Sequence, residues 1–144
     1  MTRIAGLGLI IGVLCGTAMS QQAAEFSSYY SGHRYDFRLT NKQLLNTPAW
    51  LEDEPNPPLS PRTAHSATLS YLRTLFDDAP AWRVEEIKLV PLVERWVYVV
   101  SYTPPPRNCR DCVATPFSIV VTMDGNVVTA EVSPWKPPTP SVNE

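Results

Sequence analysis

Proline placement constrains this chain more than any other feature. Thirteen of its fifteen prolines fall in three stretches, "NTPAWLEDEPNPPLSP" (46–61), "PPPRNCRDCVATPF" (104–117) and "PWKPPTPSVNE" (134–144). Each proline removes a backbone donor and locks φ, so none of these stretches is a helix interior or a central strand. The first reads as an extended arm anchored by Trp50 and Leu59, the second as a loop between strands, and the third as a disordered tail with Trp135 as its one candidate anchor. Regular structure has to form in the segments between them.

One of those segments is a well-marked helix. Ser60 is an N-cap, Pro61 occupies the first helical position where its missing N–H costs nothing, and Ala64, Ala67, Thr68, Tyr71, Leu72, Leu75 and Phe76 recur at helical spacing until Asp77-Asp78. After it, the apolar runs read as strands. "WRVEEIKLV" alternates poorly and predicts a bulge at Glu85-Glu86, whereas "RWVYVVSY" is β-branched and aromatic, with Trp96, Tyr98, Val100 and Tyr102 on one face. "PFSIVVTM" alternates through Phe117, Ile119, Val121 and Met123. Asp124-Gly125 signals a two-residue hairpin to "VVTAEV", which would put Val128, Ala130 and Val132 on the face of Ile119 and Val121. The expected fold class is α+β: one N-terminal helix packed on a four-stranded antiparallel meander sheet, with proline-rich arms. Small Ala64 and Ala67 would leave room for Trp96 and Tyr98 beneath the helix.

Residues 1–20 read as a signal peptide. Arg3 supplies the positive start, "IAGLGLIIGVLCG" is an uncharged run too short for a good membrane span, and Ala18-Met19-Ser20 offers a cleavage site that would leave Gln21 first. The competing readings are a lipid anchor on Cys15, for which Leu14 is the wrong neighbour, and a retained N-terminal anchor. Residues 21–54 then read as a flexible or extended leader, with a short strand at "YDFRLT", and 55–133 as the α+β domain. Loss of Arg3 takes the twelve Lys and Arg to 11 against 14 Asp and Glu, a net of −3. Nothing basic is concentrated enough for nucleic acid, and stable membrane insertion after signal removal is not expected. Beyond residue 20 only Gly32 and Gly125 remain, which excludes a glycine-rich phosphate loop.

The succession "PPLSPRTA", an aromatic-ended helix, a tryptophan opening a strand, "RWVYVVSY" and "MDGNVV" resembles small exported bacterial proteins with a PepSY-like or cystatin-like half-barrel, over about residues 55–132. The resemblance implies a helix-plus-antiparallel-sheet fold and a binding module or a restraint on peptidases. Cystatins inhibit through a loop of Gln-Val-Val-Ala-Gly type; no such stretch occurs here, so inhibition of that kind is not carried over.

The residues with chemical potential are few. Cys109 and Cys112 lie in a loop between strands rather than at a helix N-terminus after a strand, where a redox thiolate is stabilised. An intraloop disulfide is the expectation in an exported chain; a thiol-redox centre aided by Arg107 and Arg110, and a zinc site that would need His33 and His65, are the alternatives. His65 borders the apolar stripe of the helix, Ser66 and Ser70 have no base placed by spacing, and the pairs Asp77-Asp78 and Glu85-Glu86 flank turns where adjacent carboxylates point apart. No catalytic constellation and no cofactor or metal site are expected.

The resulting expectation is an exported, non-catalytic binding domain, periplasmic or extracellular, for a protein or peptide partner. A thiol-redox protein using Cys109 and Cys112, and a structural accessory of an envelope or secreted assembly, are the alternatives. The expected partner-binding face is the sheet surface opposite the helix, Val97, Val99, Ser101, Val120 and Thr122, unless the proline-rich arms fold over it.

Overall fold

The computed structural model describes residues 21–106 and 115–137. Its first hairpin is built on Ser31-Gly32, whose φ angles of 53° and 75° are both positive, as a two-residue turn matching strand twist requires. The turn joins β1 (Gln22–Tyr30) to β2 (His33–Thr40), antiparallel from Tyr30 opposite His33 to Gln22 opposite Thr40. Residues 22–40 of the expected flexible or extended leader are therefore a hairpin, whose second strand contains the expected strand "YDFRLT". Its alternation puts Phe26 opposite Phe37 and Ser28 opposite Tyr35 on the core side, with Glu25, Ser27, Arg34, Asp36 and Arg38 on the other. Thr40 then caps the short α1 (Asn41–Leu45) through a reciprocal pair of bonds with Gln43.

The second helix, α2 (Pro61–Leu75), begins where the sequence predicts: Ser60 Oγ accepts the Thr63 N–H at 3.1 Å and Pro61 opens the first turn. Ala64, Thr68 and Leu72, each one turn further on, are its buried stripe. A 3₁₀ turn (Ala79–Ala81) leads to β3 (Arg83–Leu92), β4 (Arg95–Thr103) and β5 (Phe117–Thr122), which form one antiparallel sheet in that order. The register of β3 against β4 shifts between Val84 and Glu86, at the predicted bulge. The helix lies on the Tyr98–Tyr102 side: Tyr98 donates to Leu59 O at 2.9 Å, and the Thr68 and Tyr102 hydroxyls are 2.7 Å apart. Burial pushes the Tyr102 phenol up, against a smaller opposing effect of that Thr68 contact.

The fold class is α+β, but the four-stranded meander is not what forms. The last strand, β6 (Ala130–Pro134), pairs with β2 and not with β5, giving a second three-stranded sheet of order β1-β2-β6. The cause is the turn. Gly125 N–H reaches Thr122 O at 2.9 Å and Thr122 N–H reaches Asn126 O at 3.0 Å, so the loop holds three residues, with Gly125 at φ 85° in the left-handed position. One extra residue flips the faces, so that Val127, not Val128, stands opposite Val121. After a single further bond, Val128 N–H to Val120 O at 2.9 Å, the chain crosses to β2.

Both sheets and the end of α2 meet around Phe117, which is fully buried and has the rings of Tyr35, Phe37, Phe76 and Trp82 at centroid distances of 5.0, 6.3, 5.3 and 5.8 Å. Residues 134–137 also depart from the expected disordered tail. Pro134 ends β6, Trp135 N–H donates to Gly32 O at 2.8 Å, and its ring lies 4.6 Å from Tyr29.

Candidate interaction surface

Most of the face expected to receive a partner is buried, with Val99 half-buried. Val97, Val99, Ser101, Val120 and Thr122 do share one side of the sheet, with Val97 opposite Thr122, Val99 opposite Val120 and Ser101 opposite Ser118. Val97 and Val120 are 0% exposed, Thr122 5% and Ser101 8%. The chain covers this side itself. Arg95, on the same face, donates through Nε to Thr47 O at 3.1 Å, which fixes the exit of α1 against it, and Leu44 of α1 is buried. The start of the proline-rich arm 46–61 takes part in this cover through Thr47. Trp50 packs instead on Trp96 at 5.5 Å, on the helix side. Cys109 and Cys112 lie outside the described residues.

Several of the remaining candidates take part in structural contacts. His65 is half-buried, with its ring stacked 5.9 Å from Tyr102 and its carbonyl accepting from Tyr102 and Thr68. Ser70 Oγ donates to Ser66 O, Asp78 accepts the Trp82 indole N–H at 2.9 Å, and Glu85 accepts the Thr103 hydroxyl at 2.8 Å. Among the described residues no group of three His, Cys, Asp or Glu side chains converges as metal ligands would, and no helix is long and apolar enough to cross a membrane.

Two polar regions went unnoticed in the sequence. The outer face of β1-β2-β6 carries an ion-pair lattice: Arg34 binds Glu25 at 3.0 Å and Asp36 at 2.6 Å, and Arg38 binds Glu25 at 3.4 Å, Asp36 at 3.7 Å and Glu131. Burial pulls the Asp36 carboxyl up, yet bonds from Ser27 and Arg34 outweigh it and hold the group below the usual carboxylate range. Beside it, a cleft of about 380 Å³ runs between α1 and the Thr122–Asn126 turn, lined by Arg38, Gln43, Thr47, Thr122, Asp124 and Asn126. Asp124 uses both carboxylate oxygens on that turn, accepting from Thr122 Oγ1 at 2.5 Å and from Asn126 Nδ2 at 2.7 Å. Its charge is spent on closing the loop.

The two outer edges of the β3-β4-β5 sheet are treated differently. On β5, Ser28 Oγ accepts the Ser118 N–H at 2.8 Å and donates to Ser118 O at 3.0 Å, while Val120 O and Thr122 N–H bond to the departing chain. Residues 118, 120 and 122 therefore point their backbone groups away from β4. Antiparallel pairing alternates, so 117, 119 and 121 bond to β4 at Tyr102, Val100 and Tyr98, and β4 turns Val97, Val99 and Ser101 towards β3. Those three pair with Val90, Lys88 and Glu86. Ile87 and Leu89 are thus left with N–H and C=O directed outwards, on a ten-residue strand that is exposed over most of its length and is paired on that side with no other strand among the described residues. Val84 and Ile87 on this strand are 44% and 37% exposed.

No family model, curated protein or solved structure matches the chain. Fold and surface together define a two-sheet α+β domain whose β3-β4-β5 sheet has, among the described residues, one closed and one open strand edge.

Proposed function

We propose that this is an exported, non-catalytic interaction domain that binds through the outer edge of β3, by adding an extended segment of a partner as a further strand. The observation that carries the reading is the outward direction of the Ile87 and Leu89 backbone groups on a long exposed edge, since main-chain bonds of this kind supply affinity in strand addition. A binding role is also what the PepSY-like resemblance implies. For export, the reading relies on the signal-like residues 1–20. The fold takes up the chain directly behind them: Gln21 O already accepts the Asn41 N–H at 3.0 Å. A disulfide between Cys109 and Cys112 belongs to the same proposal.

Two proline substitutions on adjacent residues test it. Ile87→Pro removes an outward donor and should leave stability within about 1 kcal/mol, whereas Lys88→Pro removes a ladder bond to Val99 and should cost about 1–3 kcal/mol. With wild-type and Ile87→Pro chains as baits in the exported fraction of the native host, strand addition predicts that the captured partner is lost with the proline variant. Equal capture by both chains overturns the β3 reading.

A further inference from the structure

We infer that the occupant of the β3 edge is a second copy of this chain, paired antiparallel about Ile87 to make one continuous six-stranded sheet. The inference rests on the reading of β3 as the interaction edge and adds to it the identity of the partner. It follows from the order of side chains along the strand. When two copies of β3 run antiparallel with Ile87 opposite Ile87, Glu86 of each copy stands opposite Lys88 of the other. Such an interface is isologous, so every favourable contact occurs twice.

Backbone direction is compatible with the same register. Ile87 and Leu89 point their N–H and C=O groups outwards, so Ile87 forms a hydrogen-bonded pair with its symmetry mate. Glu86 and Lys88 then fall at non-hydrogen-bonded positions, where opposing side chains approach most closely. Within one copy Glu86 and Lys88 already lie on one face with Oε1 and Nζ 3.9 Å apart. Two copies would close these charges into an alternating square of two carboxylates and two ammonium groups. On the opposite face, the exposed Ile87 side chains would cover one another.

The same charges disfavour other occupants. A bulge, a proline at position 91 and charged side chains normally blunt an edge against indiscriminate pairing. Here the charges oppose a strand that places like charges across from them and are complementary to their own sequence reversed, so that specificity is obtained partly from unfavourable alternatives. The register also directs the partner's Val93, 91% exposed at the tip of the β3–β4 turn, to the end of the strand where Ala81, Arg83, Thr103 and prolines 104–106 line a cleft of about 400 Å³.

Sedimentation equilibrium of the exported chain over a range of concentrations tests this. Wild type should show a reversible monomer–dimer equilibrium that weakens with salt. Lys88→Glu and Glu86→Lys should each raise the dimer dissociation constant about tenfold, because two attractive pairs become two repulsive ones. The double exchange, Glu86→Lys with Lys88→Glu, should restore it to within about threefold, since only a self-complementary register is rescued by reversal. Ile87→Pro should abolish the dimer. A monomer at every concentration, or a dimer indifferent to Lys88→Glu, overturns the inference. If the chain is monomeric and Ile87→Pro still loses a host partner, the second copy is excluded and the β3 edge stands; if that variant loses nothing, both fall.

Discussion

Strands β3 and β5 flank the same central strand, yet among the described residues one edge is sealed by the chain and the other is left without a pairing strand. The seal on β5 uses little material: one serine hydroxyl meets both backbone groups of Ser118, and two bonds from the 126–128 segment meet Thr122 and Val120. Behind it, β5 is buried on both faces, and Val120 and Val121 are both fully enclosed. Along β3 the protection seen among the described residues is local: a bulge, Pro91 and a pair of opposite charges. A chain able to cover one edge with a hairpin, a short helix and a crossing strand has the means to cover an edge. Among the described residues it covers only one, and the proposed strand addition rests on that difference.

The contrast breaks most visibly with a charge. Val120→Lys places an ammonium group where nothing is exposed, and should abolish folding or cost more than about 3 kcal/mol in urea denaturation, while the same lysine at Ile87 should change stability by less than about 1 kcal/mol. Equal effects would mean that the two edges are alike. A smaller effect isolates the seal itself. Ser28→Ala leaves the Ser118 N–H and C=O without their partner and should cost about 1–3 kcal/mol, read as a lower urea midpoint with an unchanged slope.

The smallest effect concerns acid. The Asp36 carboxyl is held below its ordinary value by Ser27 and Arg34 despite burial, so its contribution to stability is complete above the unfolded value near 3.8 and is lost as pH falls through the lower, folded value. The β1–β2 hairpin that seals β5 should therefore loosen in acid. Amide exchange at Ser118, corrected for its intrinsic rate, should speed up below about pH 4, and Asp36→Asn should flatten that dependence. An unchanged slope in the variant would show that the lattice does not hold the seal.

Much of this was legible in the residues. Ser60-Pro61 and the Ala64, Thr68, Leu72 stripe marked α2 to within a turn, and the β-branched run of β4 and the bulge at Glu85 marked the central sheet. The β1–β2 hairpin was missed because "QQAAEFSSYYSGHR" reads as polar. Its signal was present: Ser31-Gly32 is a two-residue turn pair, flanked by Phe26 and Tyr30 on one side and Tyr35 and Phe37 on the other. Ser28 concealed the alternation, since a serine at an inward position looks like surface until the backbone groups it satisfies are known.

The candidate face shows the same division between local and non-local information. Sequence pattern placed Val97, Val99, Ser101, Val120 and Thr122 together, because alternation along each strand is local and strands that follow one another in the chain commonly pair. Whether that face met water or protein depended on where residues 22–47 and 127–134 were placed, and those positions follow from contacts between segments far apart in the chain. One residue in the turn after Thr122 exchanged the faces of the strand that follows, and β6 joined β2 instead of extending the sheet beyond β5. Tertiary structure alone decided which edge stayed open, because an edge is closed by whatever chain lies beside it and not by the residues that compose it.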